Sequence, residues 1–349
     1  MRILHLITTI ERGGAENQLL ILVRHQKMTG NTVDVVYLKG ASDLKDAFEQ
    51  FSQVFDLSNI SLLRQILQLQ RLLVGYEIVH AHLPRAELIL SLLFKRGCKF
   101  IASKHNMEAF WPMQSSFVSL VLARYVYFRM NAVIAISHAV SRYLIDLSEI
   151  PDSGLKKHFI IHYGYDERFE ITNKSTEVNL VVCVARLVAQ KNIQTLLFAI
   201  NLLRNSQRLL KLEVYGEGQM KEELIKITVD LNIENRAIFK GKTKDIVNVL
   251  QRASILVLPS LYEGFGMILI EAMQSRVPIV AARNSAILEV LGFDFPFLFE
   301  TLDFNDLSEK ILMLTDPVNR ELALQYQEKK LAEFNPSQMY RKIMDVYQA

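Results

Sequence analysis

Two series of alternating strand and helix patterns constrain the fold of this 349-residue chain more than any other feature. Short apolar runs, such as residues 2–7 and 254–258, are typical of buried parallel strands. Between such runs lie longer segments with apolar residues at helical spacing, as in residues 15–28. Strands that alternate with helices build parallel sheets with helices on both faces. The predicted fold class is therefore α/β, with a doubly wound sheet in each half of the chain.

The length of the chain favours two domains, since it exceeds the usual size of one. We predict a Rossmann-like N-terminal domain over residues 1–164 and a second Rossmann-like domain over residues 179–336. The polar, aperiodic residues 165–178 are interpreted as the linker, and residues 337–349 as a final helix. The predicted strands are Arg2–Ile7, Thr32–Leu38, Glu77–His82, Lys99–His105, Ala132–Ser137, Phe159–His162, Asn179–Arg186, Lys211–Tyr215, Ala237–Phe239, Ser254–Leu258 and Pro278–Ala281.

The net charge of +3 is small, but it is unevenly distributed. Residues 1–164 contain 18 Lys and Arg against 13 Asp and Glu, whereas the remainder contains 22 against 24. A basic N-terminal half is compatible with an anionic membrane surface or a phosphorylated acceptor. A solvated surface without a partner explains the charge equally well.

Targeting segments and metal-binding cysteines are not expected. The apolar run at residues 3–7 is too short for a signal-peptide core, and no apolar run approaches the length of a membrane span. Cys98 and Cys183 are expected to be buried, reduced thiols of a cytoplasmic protein. Neither has a second Cys or His at ligand spacing, which argues against a zinc site.

The segment 259–271 carries the strongest functional pattern. Gly264 and Gly266 follow a predicted strand, allow a sharp turn and let a ligand approach the backbone. Glu263 lies on this loop, and Glu271 lies about two turns inside the helix that follows. Helix N-termini favour phosphate, and ionised carboxylates accept hydrogen bonds from sugar hydroxyls. The alternative is an ordinary helix start with acidic residues nearby.

This E-x7-E arrangement resembles the retaining glycosyltransferases of family four, which have the GT-B fold of two facing Rossmann-like domains around a central cleft. The resemblance implies that Glu263 holds the donor sugar and that Glu271 holds the nucleotide ribose. It also places Gly264, Phe265 and Gly266 in the donor site. The final helix is implied to cross back onto the N-terminal domain.

Arg186 and Lys191 follow the first strand of the second half. Two cations at a strand end and a helix start can clamp a diphosphate and stabilise its growing charge as it departs, so both are catalytic candidates. The resemblance assigns them this role, and the alternative is a solvated basic turn. The same resemblance adds Gly216 and Gly218 to the donor site, although a lone Gly-x-Gly is usually a tight turn.

Gly13 and Gly14 follow the first strand of the chain. Paired glycines at a helix start can cradle phosphate or admit a sugar, and the resemblance places this loop near the reaction centre. The six-residue dinucleotide fingerprint is absent here, and a plain turn is the alternative.

Three histidines lie at or near predicted strand ends, and His80 and His82 share one face of their strand. The resemblance assigns His105 a catalytic role in orienting donor and acceptor. His82 is a candidate for contact with the acceptor, whereas His80 is interpreted as a packing residue.

Glu289 occupies the position of a family glutamate that supports the donor site, although the preceding turn differs from the family pattern. Two other departures concern Tyr163, where the family usually has Asn, and Arg276, where Gly is common. They affect the hinge geometry and local donor contacts rather than the fold.

No Asp-x-Asp motif occurs in the sequence, so the metal-diphosphate site of the other large glycosyltransferase fold is missing. We therefore expect metal-independent transfer without a cofactor and without nucleic acid. Residues 117–129 are rich in apolar and aromatic side chains, with Arg124 and Arg129 interspersed. They are interpreted either as an interfacial helix on an anionic membrane or as a helix buried against the sheet.

The function predicted from the sequence is that of a retaining glycosyltransferase acting at the inner face of the plasma membrane or in the cytoplasm. It would transfer a hexose or N-acetylhexosamine from a nucleotide sugar, with UDP favoured, to a glycan or lipid-linked acceptor in surface polysaccharide or lipopolysaccharide synthesis. The alternatives are a non-catalytic GT-B subunit that binds a sugar nucleotide or a partner transferase, and a nucleotide-sugar epimerase. A GT-B phosphorylase is disfavoured, because those enzymes need a longer chain and a Lys-bound cofactor.

Overall fold

The chain forms two compact units in the computed structural model, which describes residues 1–110, 116–151, 156–169, 176–205 and 209–349. One unit comprises Met1–Gly164 together with Phe334–Ala349, and the other comprises Tyr165–Glu333. Within the predicted linker, residues 170–175 lie outside the described residues.

The N-terminal unit is built on a seven-stranded parallel sheet with the order β3-β2-β1-β4-β5-β6-β7. Its strands are β1 (Arg2–Ile7), β2 (Thr32–Tyr37), β3 (Gln53–Asp56), β4 (Ile78–His82), β5 (Lys99–Lys104), β6 (Ala132–Ala135) and β7 (His158–Ile160). Its helices are α1 (Gly14–Met28), α2 (Lys45–Glu49), α3 (Leu62–Leu72), α4 (Pro84–Leu92), α5 (Ser116–Arg129), α6 (His138–Asp146) and the last helix, α14 (Pro336–Gln348).

The strand order of this unit reverses between β1 and β4, and ligands of open α/β sheets bind beside such reversals. The central strands β1 and β4 are almost wholly buried, as expected of parallel strands covered on both faces. Helix α14 packs against α1 and so belongs to this unit, although it ends the chain.

The C-terminal unit is built on a six-stranded parallel sheet with the order β10-β9-β8-β11-β12-β13. Its strands are β8 (Leu180–Val184), β9 (Lys211–Tyr215), β10 (Ala237–Gly241), β11 (Ile255–Leu258), β12 (Ile279–Ala282) and β13 (Leu298–Phe299). Its helices are α7 (Ile193–Leu202), α8 (Lys221–Asp230), α9 (Ile246–Arg252), α10 (Met267–Gln274), α11 (Ser285–Leu291), α12 (Phe304–Met313) and α13 (Pro317–Leu331). The strand order reverses between β8 and β11, which are adjacent.

The predicted fold class is confirmed, because each unit is a Rossmann-like parallel sheet with helices between its strands. The prediction missed the short edge strands β3 and β13 and the single-turn helix α2. Such short elements carry too few residues for a clear period.

Among the local features of the two units, the predicted burial of both cysteines is confirmed by the structure. The Ser137 hydroxyl accepts a hydrogen bond from the Val140 amide at 3.0 Å and caps α6. Cys98 and Cys183 are free and buried, and burial raises the pKa of the Cys183 thiol to about 12. In the described part of the chain, no helix has both the length and the apolar content needed to span a bilayer.

Candidate active site

A buried ion pair joins the two loops that the sequence singles out in the C-terminal unit. Lys191 Nζ lies 2.5 Å from Glu263 Oε1, and both side chains are largely buried. The Ser260 hydroxyl donates a second hydrogen bond to the same carboxylate oxygen at 2.6 Å. Because burial of a charge is costly unless the charge is paired and hydrogen-bonded, these contacts hold both ions in place.

The fold explains why these loops meet. Strands β8 and β11 are adjacent and parallel, so their carboxyl ends lie at the same edge of the sheet. A short 3-10 helix, Ala189–Lys191, follows β8 and brings Lys191 to that edge. Asn192 then takes a left-handed conformation, with φ 48°, and its side-chain amide donates to the Pro259 carbonyl oxygen at 3.2 Å. The loop after β8 is therefore tied to the loop after β11.

The loop after β12 supports Glu263 from another direction. The Glu263 amide donates to the Ser285 hydroxyl at 2.9 Å, and the Asn284 side chain donates to the Ser260 carbonyl at 2.8 Å. The turn that precedes Glu289 departs from the family pattern. Its serine and asparagine hold the backbone of Glu263 and Ser260.

Gly216 and Gly218 are required by close packing against the loop that carries Arg186. A Cβ at Gly216 would lie 1.8 Å from the Ala185 carbonyl oxygen, and one at Gly218 would lie 2.3 Å from the Leu187 carbonyl oxygen. No side chain fits at such distances. These glycines therefore shape the site through the loop they support, whether or not they also contact a ligand.

Arg186 itself is exposed on this loop, just after β8 ends at Val184. It therefore lies near the carboxyl edge of the sheet, on the loop that also leads to Lys191.

The turn before α10 has the geometry expected of its glycines. Gly266 has φ 89° and is the N-cap residue of α10, a conformation that favours glycine. The Phe265 side chain is buried, so only its backbone is available to a ligand. Gly264 is partly exposed between Phe265 and the buried Glu263.

Glu271 lies inside α10 in an environment that disfavours its charge. Burial, with a smaller contribution from Asp166, raises the pKa of Glu271 from 4.5 to about 7. A carboxylate with this pKa gains more than usual from a ligand that donates hydrogen bonds to its ionised form. Glu289 lies further along, in α11, and is partly buried.

In the N-terminal unit, Gly13 and Gly14 stand at the start of α1, with Gly13 as the N-cap residue. The space beside Gly13 is filled by Glu16, whose carboxylate would lie 2.4 Å from an added Cβ. The Thr9 hydroxyl donates to that carboxylate at 2.7 Å, and burial raises the Glu16 pKa. An acidic side chain thus already covers this helix start, a feature that the glycine pattern did not reveal.

The predicted histidines converge with a fourth, His5, in the core of this unit. His5 Nδ1 lies 3.1 Å from His82 Nε2, and His82 Nδ1 lies 3.2 Å from His105 Nε2. His105 Nδ1 is hydrogen-bonded to the Tyr163 hydroxyl. His82 is buried with both ring nitrogens engaged, so contact with an acceptor would require one of these bonds to open.

Burial keeps these imidazoles neutral. It lowers the pKa of His5 to about 4 and that of His105 to about 3, and it lowers the pKa of His82 well below the ordinary value. A small cavity lies beside them, and its lining includes His82, His105, Tyr163 and the apolar side chain of Ile136. The cluster thus lies beside a cavity that begins at the carboxyl ends of β4 and β5.

Helix α5 is buried on one side only. Ala123 and Val126 pack inward, whereas Phe117 and Phe128 are 73% and 82% exposed. The arginines of this helix are not simply solvated charges, since Arg129 donates to the carbonyl oxygens of Ser91 and Leu93, and Arg124 donates to that of Ser148. The exposed surface is therefore mainly apolar.

Both halves of the chain match glycosyltransferase family models. Residues 165–331 match the model described as "Glycosyl transferases group 1", and residues 12–169 match the model described as "Glycosyltransferase Family 4". The two matches together run along nearly the whole chain, which relates the protein to GT-B glycosyltransferases.

Particular relatives show the same relationship at low identity. The chain is 25% identical over 227 residues to poly(ribitol-phosphate) alpha-N-acetylglucosaminyltransferase of Staphylococcus aureus, a match over 63% of this chain and 44% of that protein. It is 22% identical over 308 residues to N-acetyl-alpha-D-glucosaminyl L-malate synthase of Bacillus anthracis, over 84% of this chain and 79% of that protein.

Among solved structures, HepE of Anabaena in complex with UDP-glucose superposes with a TM-score of 0.86 at 19% identity, covering 100% of this chain and 99% of that chain. This likeness confirms the GT-B fold. The two family matches relate both halves of the chain to glycosyltransferases, while the transferase activity, the roles of the two glutamates and the retaining mechanism stay predictions.

Proposed function

We propose that this protein is a retaining glycosyltransferase that transfers a hexose or N-acetylhexosamine from a UDP-sugar to a glycan or lipid-linked acceptor. The observation that carries the proposal is the buried Lys191–Glu263 pair at the carboxyl ends of β8 and β11. A stable core gains little from such a pair, because apolar side chains of similar size pack there at lower cost. A site for an anionic, hydroxyl-rich ligand needs both charges.

The pair can be exchanged for ligand contacts. When a sugar diphosphate binds, the Lys191 ammonium moves from the carboxylate to the diphosphate, where exposed Arg186 also reaches. Glu263 then accepts hydrogen bonds from sugar hydroxyls, while the Ser260 hydroxyl continues to orient its carboxylate. Each partner of the ion pair thus gains a new partner from the donor.

For the chemistry we propose front-face attack. The acceptor hydroxyl oxygen forms a bond to the anomeric carbon as the bond between that carbon and the UDP oxygen breaks. The departing phosphate takes the acceptor proton, and the two cations stabilise the negative charge that remains on UDP. We also propose that transfer needs no metal, since Lys191 and Arg186 supply this charge compensation. Retained activity in EDTA is expected, and a loss that added Mg²⁺ or Mn²⁺ reverses would refute this part.

UDP is favoured as the nucleotide because the structurally similar HepE was crystallised with UDP-glucose. Isothermal titration of UDP tests the site directly. We expect Lys191→Met to weaken UDP binding at least tenfold, because it removes a charge-assisted contact worth about 1.5–3 kcal/mol. Lys330→Met is the matched control, since Lys330 also forms an ion pair, with Glu333. Equal affinity in all three proteins would remove the diphosphate assignment.

Turnover separates the enzyme from its alternatives. Prolonged incubation with UDP-glucose, UDP-galactose and UDP-N-acetylglucosamine should release UDP from one donor as its sugar is slowly transferred to water, and the sugar should be released as the anomer present in the donor. An inverted anomer would exclude the retaining mechanism. UDP binding without release from any donor would favour a non-catalytic subunit, and interconversion of donors without release would favour an epimerase.

Peripheral membrane contact at the inner face of the plasma membrane is part of the proposal because a lipid-linked acceptor lies there. The exposed face of α5 supports it with Phe117 and Phe128. We expect the protein to float with liposomes that contain anionic lipid, and the double variant Phe117→Ser, Phe128→Ser to lose this binding. Exchange of exposed Phe293 for serine, in the other unit, is the control. If neither the wild type nor the control floats with the liposomes, the membrane contact is refuted and the proposed acceptor is a soluble glycan.

A further inference from the structure

One glutamine stands at the junction of two buried hydrogen-bond chains in the N-terminal unit. Gln26, on α1, is fully buried. Its Oε1 lies 2.8 Å from His5 Nε2, at the end of the row that continues through His82 and His105 to Tyr163. We refer to Gln26, His5, His82, His105 and Tyr163 as the histidine row.

The other end of the same amide begins a second chain. Gln26 Nε2 donates to the Tyr347 hydroxyl at 3.4 Å. That hydroxyl lies 2.7 Å from His80 Nδ1, and His80 Nε2 lies 2.8 Å from the Ser103 hydroxyl. We refer to Tyr347, His80 and Ser103 as the branch.

The direction of every bond follows from the amide. A neutral imidazole carries one N–H and one acceptor nitrogen. Because Gln26 Oε1 can only accept, His5 carries its proton on Nε2 and accepts at Nδ1. His82 must then donate from Nε2 and accept at Nδ1, and the same holds for His105. The row therefore has one polarity from Tyr163 to Gln26.

The far end of the row agrees with this polarity. Burial raises the pKa of Tyr163 well above its ordinary value, so its hydroxyl keeps a proton to donate. His105 Nδ1 accepts that hydrogen bond. In the branch, Gln26 donates to the Tyr347 oxygen, so the Tyr347 proton is free to point to His80 Nδ1, and His80 Nε2 donates to Ser103.

We propose that Gln26 fixes the proton positions of the four clustered histidines, so that His105 presents an unprotonated Nδ1 as a hydrogen-bond acceptor for a ligand hydroxyl. Gln26, His5 and His82 are positioning residues that act through His105. The role of His105 toward a sugar rests on the function proposed above. A sugar hydroxyl can replace the Tyr163 hydroxyl on Nδ1, because both donate the same kind of hydrogen bond.

A metal ion is the competing explanation for the cluster, since nitrogen atoms of His5, His80 and His82 are near enough to share one. Both ring nitrogens of each of these residues already have a hydrogen-bond partner, however. A metal bound to all three rings would have to displace at least two of these hydrogen bonds. Hydrogen bonds alone satisfy this buried cluster, as buried polar groups require.

Nitrogen NMR of protein labelled with ¹⁵N-histidine tests the proposal without reference to catalysis. At about pH 8, above the usual histidine pKa of about 6.5, we expect His5, His80, His82 and His105 to show protonated Nε2 and unprotonated Nδ1. His25 is an internal control, because its Nδ1 lies 3.0 Å from the Ile21 carbonyl oxygen and must carry the proton. Single His→Gln variants assign the signals.

Gln26→Glu is the most informative variant, because it keeps the oxygen that accepts from His5 but removes the N–H group that donates to Tyr347. His5, His82 and His105 should keep the proton on Nε2. Above the pKa of this glutamate, Tyr347 must donate to the ionised carboxylate, so His80 should move its proton to Nδ1. Gln26→Met removes both ends of the amide, and we expect the single tautomer of His5 to be lost.

The outcomes separate this inference from the proposed function. Protonated Nδ1 on His82 or His105 in the wild type, or an unchanged His80 in Gln26→Glu above the pKa of that glutamate, would overturn the proton order. A unique proton order in a protein that turns over no sugar nucleotide would leave the inference standing and remove the proposed function. Cooperative thermal unfolding of each variant shows that the NMR result comes from a folded protein.

Discussion

Replacing Glu271 with glutamine should stabilise the protein at alkaline pH and leave it unchanged at acid pH. The unfolded chain ionises this group near pH 4.5, whereas the folded chain ionises it near pH 7. Between these values the folded protein holds more protons than the unfolded chain, so its stability falls as the pH rises. Above pH 7 the loss is complete, and below pH 4.5 it is absent.

The magnitude follows from the size of the shift. Each pKa unit corresponds to about 1.4 kcal/mol, so raising the pKa of Glu271 from 4.5 to about 7 lowers the free energy of unfolding by about 3 kcal/mol at alkaline pH. Glutamine has the same shape and no charge to desolvate. Glu271→Gln should therefore exceed the wild type in stability by up to about 3 kcal/mol at pH 8.

Urea unfolding of both proteins at about pH 5 and pH 8 measures this difference, and comparison within each pH cancels the titration of all other groups. Glu309→Gln controls for the loss of one negative charge, because Glu309 is exposed on α12. A difference between Glu271→Gln and wild type that is the same at both pH values would refute the reasoning. If ribose hydroxyls donate to Glu271, saturating UDP should also reduce the difference in free energy of unfolding between Glu271→Gln and the wild type at pH 8.

Three further stability measurements test the geometry of the C-terminal unit. Lys191→Met leaves Glu263 buried and unpaired, so it should lower the free energy of unfolding in urea by about 3 kcal/mol. Adding Glu263→Gln should recover most of that loss, whereas full stability of Lys191→Met alone would argue against a buried ion pair. Gly216→Ala should cost about 3 kcal/mol or prevent folding because its Cβ meets a carbonyl oxygen at 1.8 Å, and a normal melting temperature would show that the turn relaxes freely. Arg276 has φ 51°, so Arg276→Gly should be about 1 kcal/mol more stable than Arg276→Ala, whereas equal stabilities would deny the strain.

The sequence predicted the parts of the site that lie at strand ends. Lys191 and Glu263 follow two strands of one parallel sheet, and their meeting at its carboxyl edge follows from the fold class once those strands are adjacent. The support of Glu263 by Ser260 and Ser285 could not be predicted in the same way. Hydroxyl groups are common in loops, and only the backbone path decides which of them face a carboxylate.

The histidine row shows a different limit. Strand alternation placed His80 and His82 on one face, but Gln26 lies in a helix and Tyr163 lies 58 residues from His105. Nothing periodic marks either residue, because their role depends on contacts between elements distant in sequence. Tyr163 and Arg276 were noted as departures from the family pattern, and the structure gives each a physical account: a hydroxyl bonded to His105, and a left-handed conformation that glycine adopts more readily.

Buried charged and polar side chains, whose desolvation lowers stability, indicate function in the two units more strongly than any single motif. The C-terminal unit keeps Glu271 at an unfavourable pKa and buries the Lys191–Glu263 pair, and the N-terminal unit buries a row of neutral histidines. Apolar side chains would fill the same volumes with less desolvation, so packing alone does not explain them. In the C-terminal unit these groups lie on or after the strands beside the reversal of strand order, where open α/β sheets bind ligands. A carboxylate that destabilises the free protein is stabilised when a ligand donates hydrogen bonds to it, and this stabilisation adds to the affinity for the ligand. The effect of UDP on the stability difference between Glu271→Gln and the wild type therefore tests whether Glu271 contributes to ligand binding.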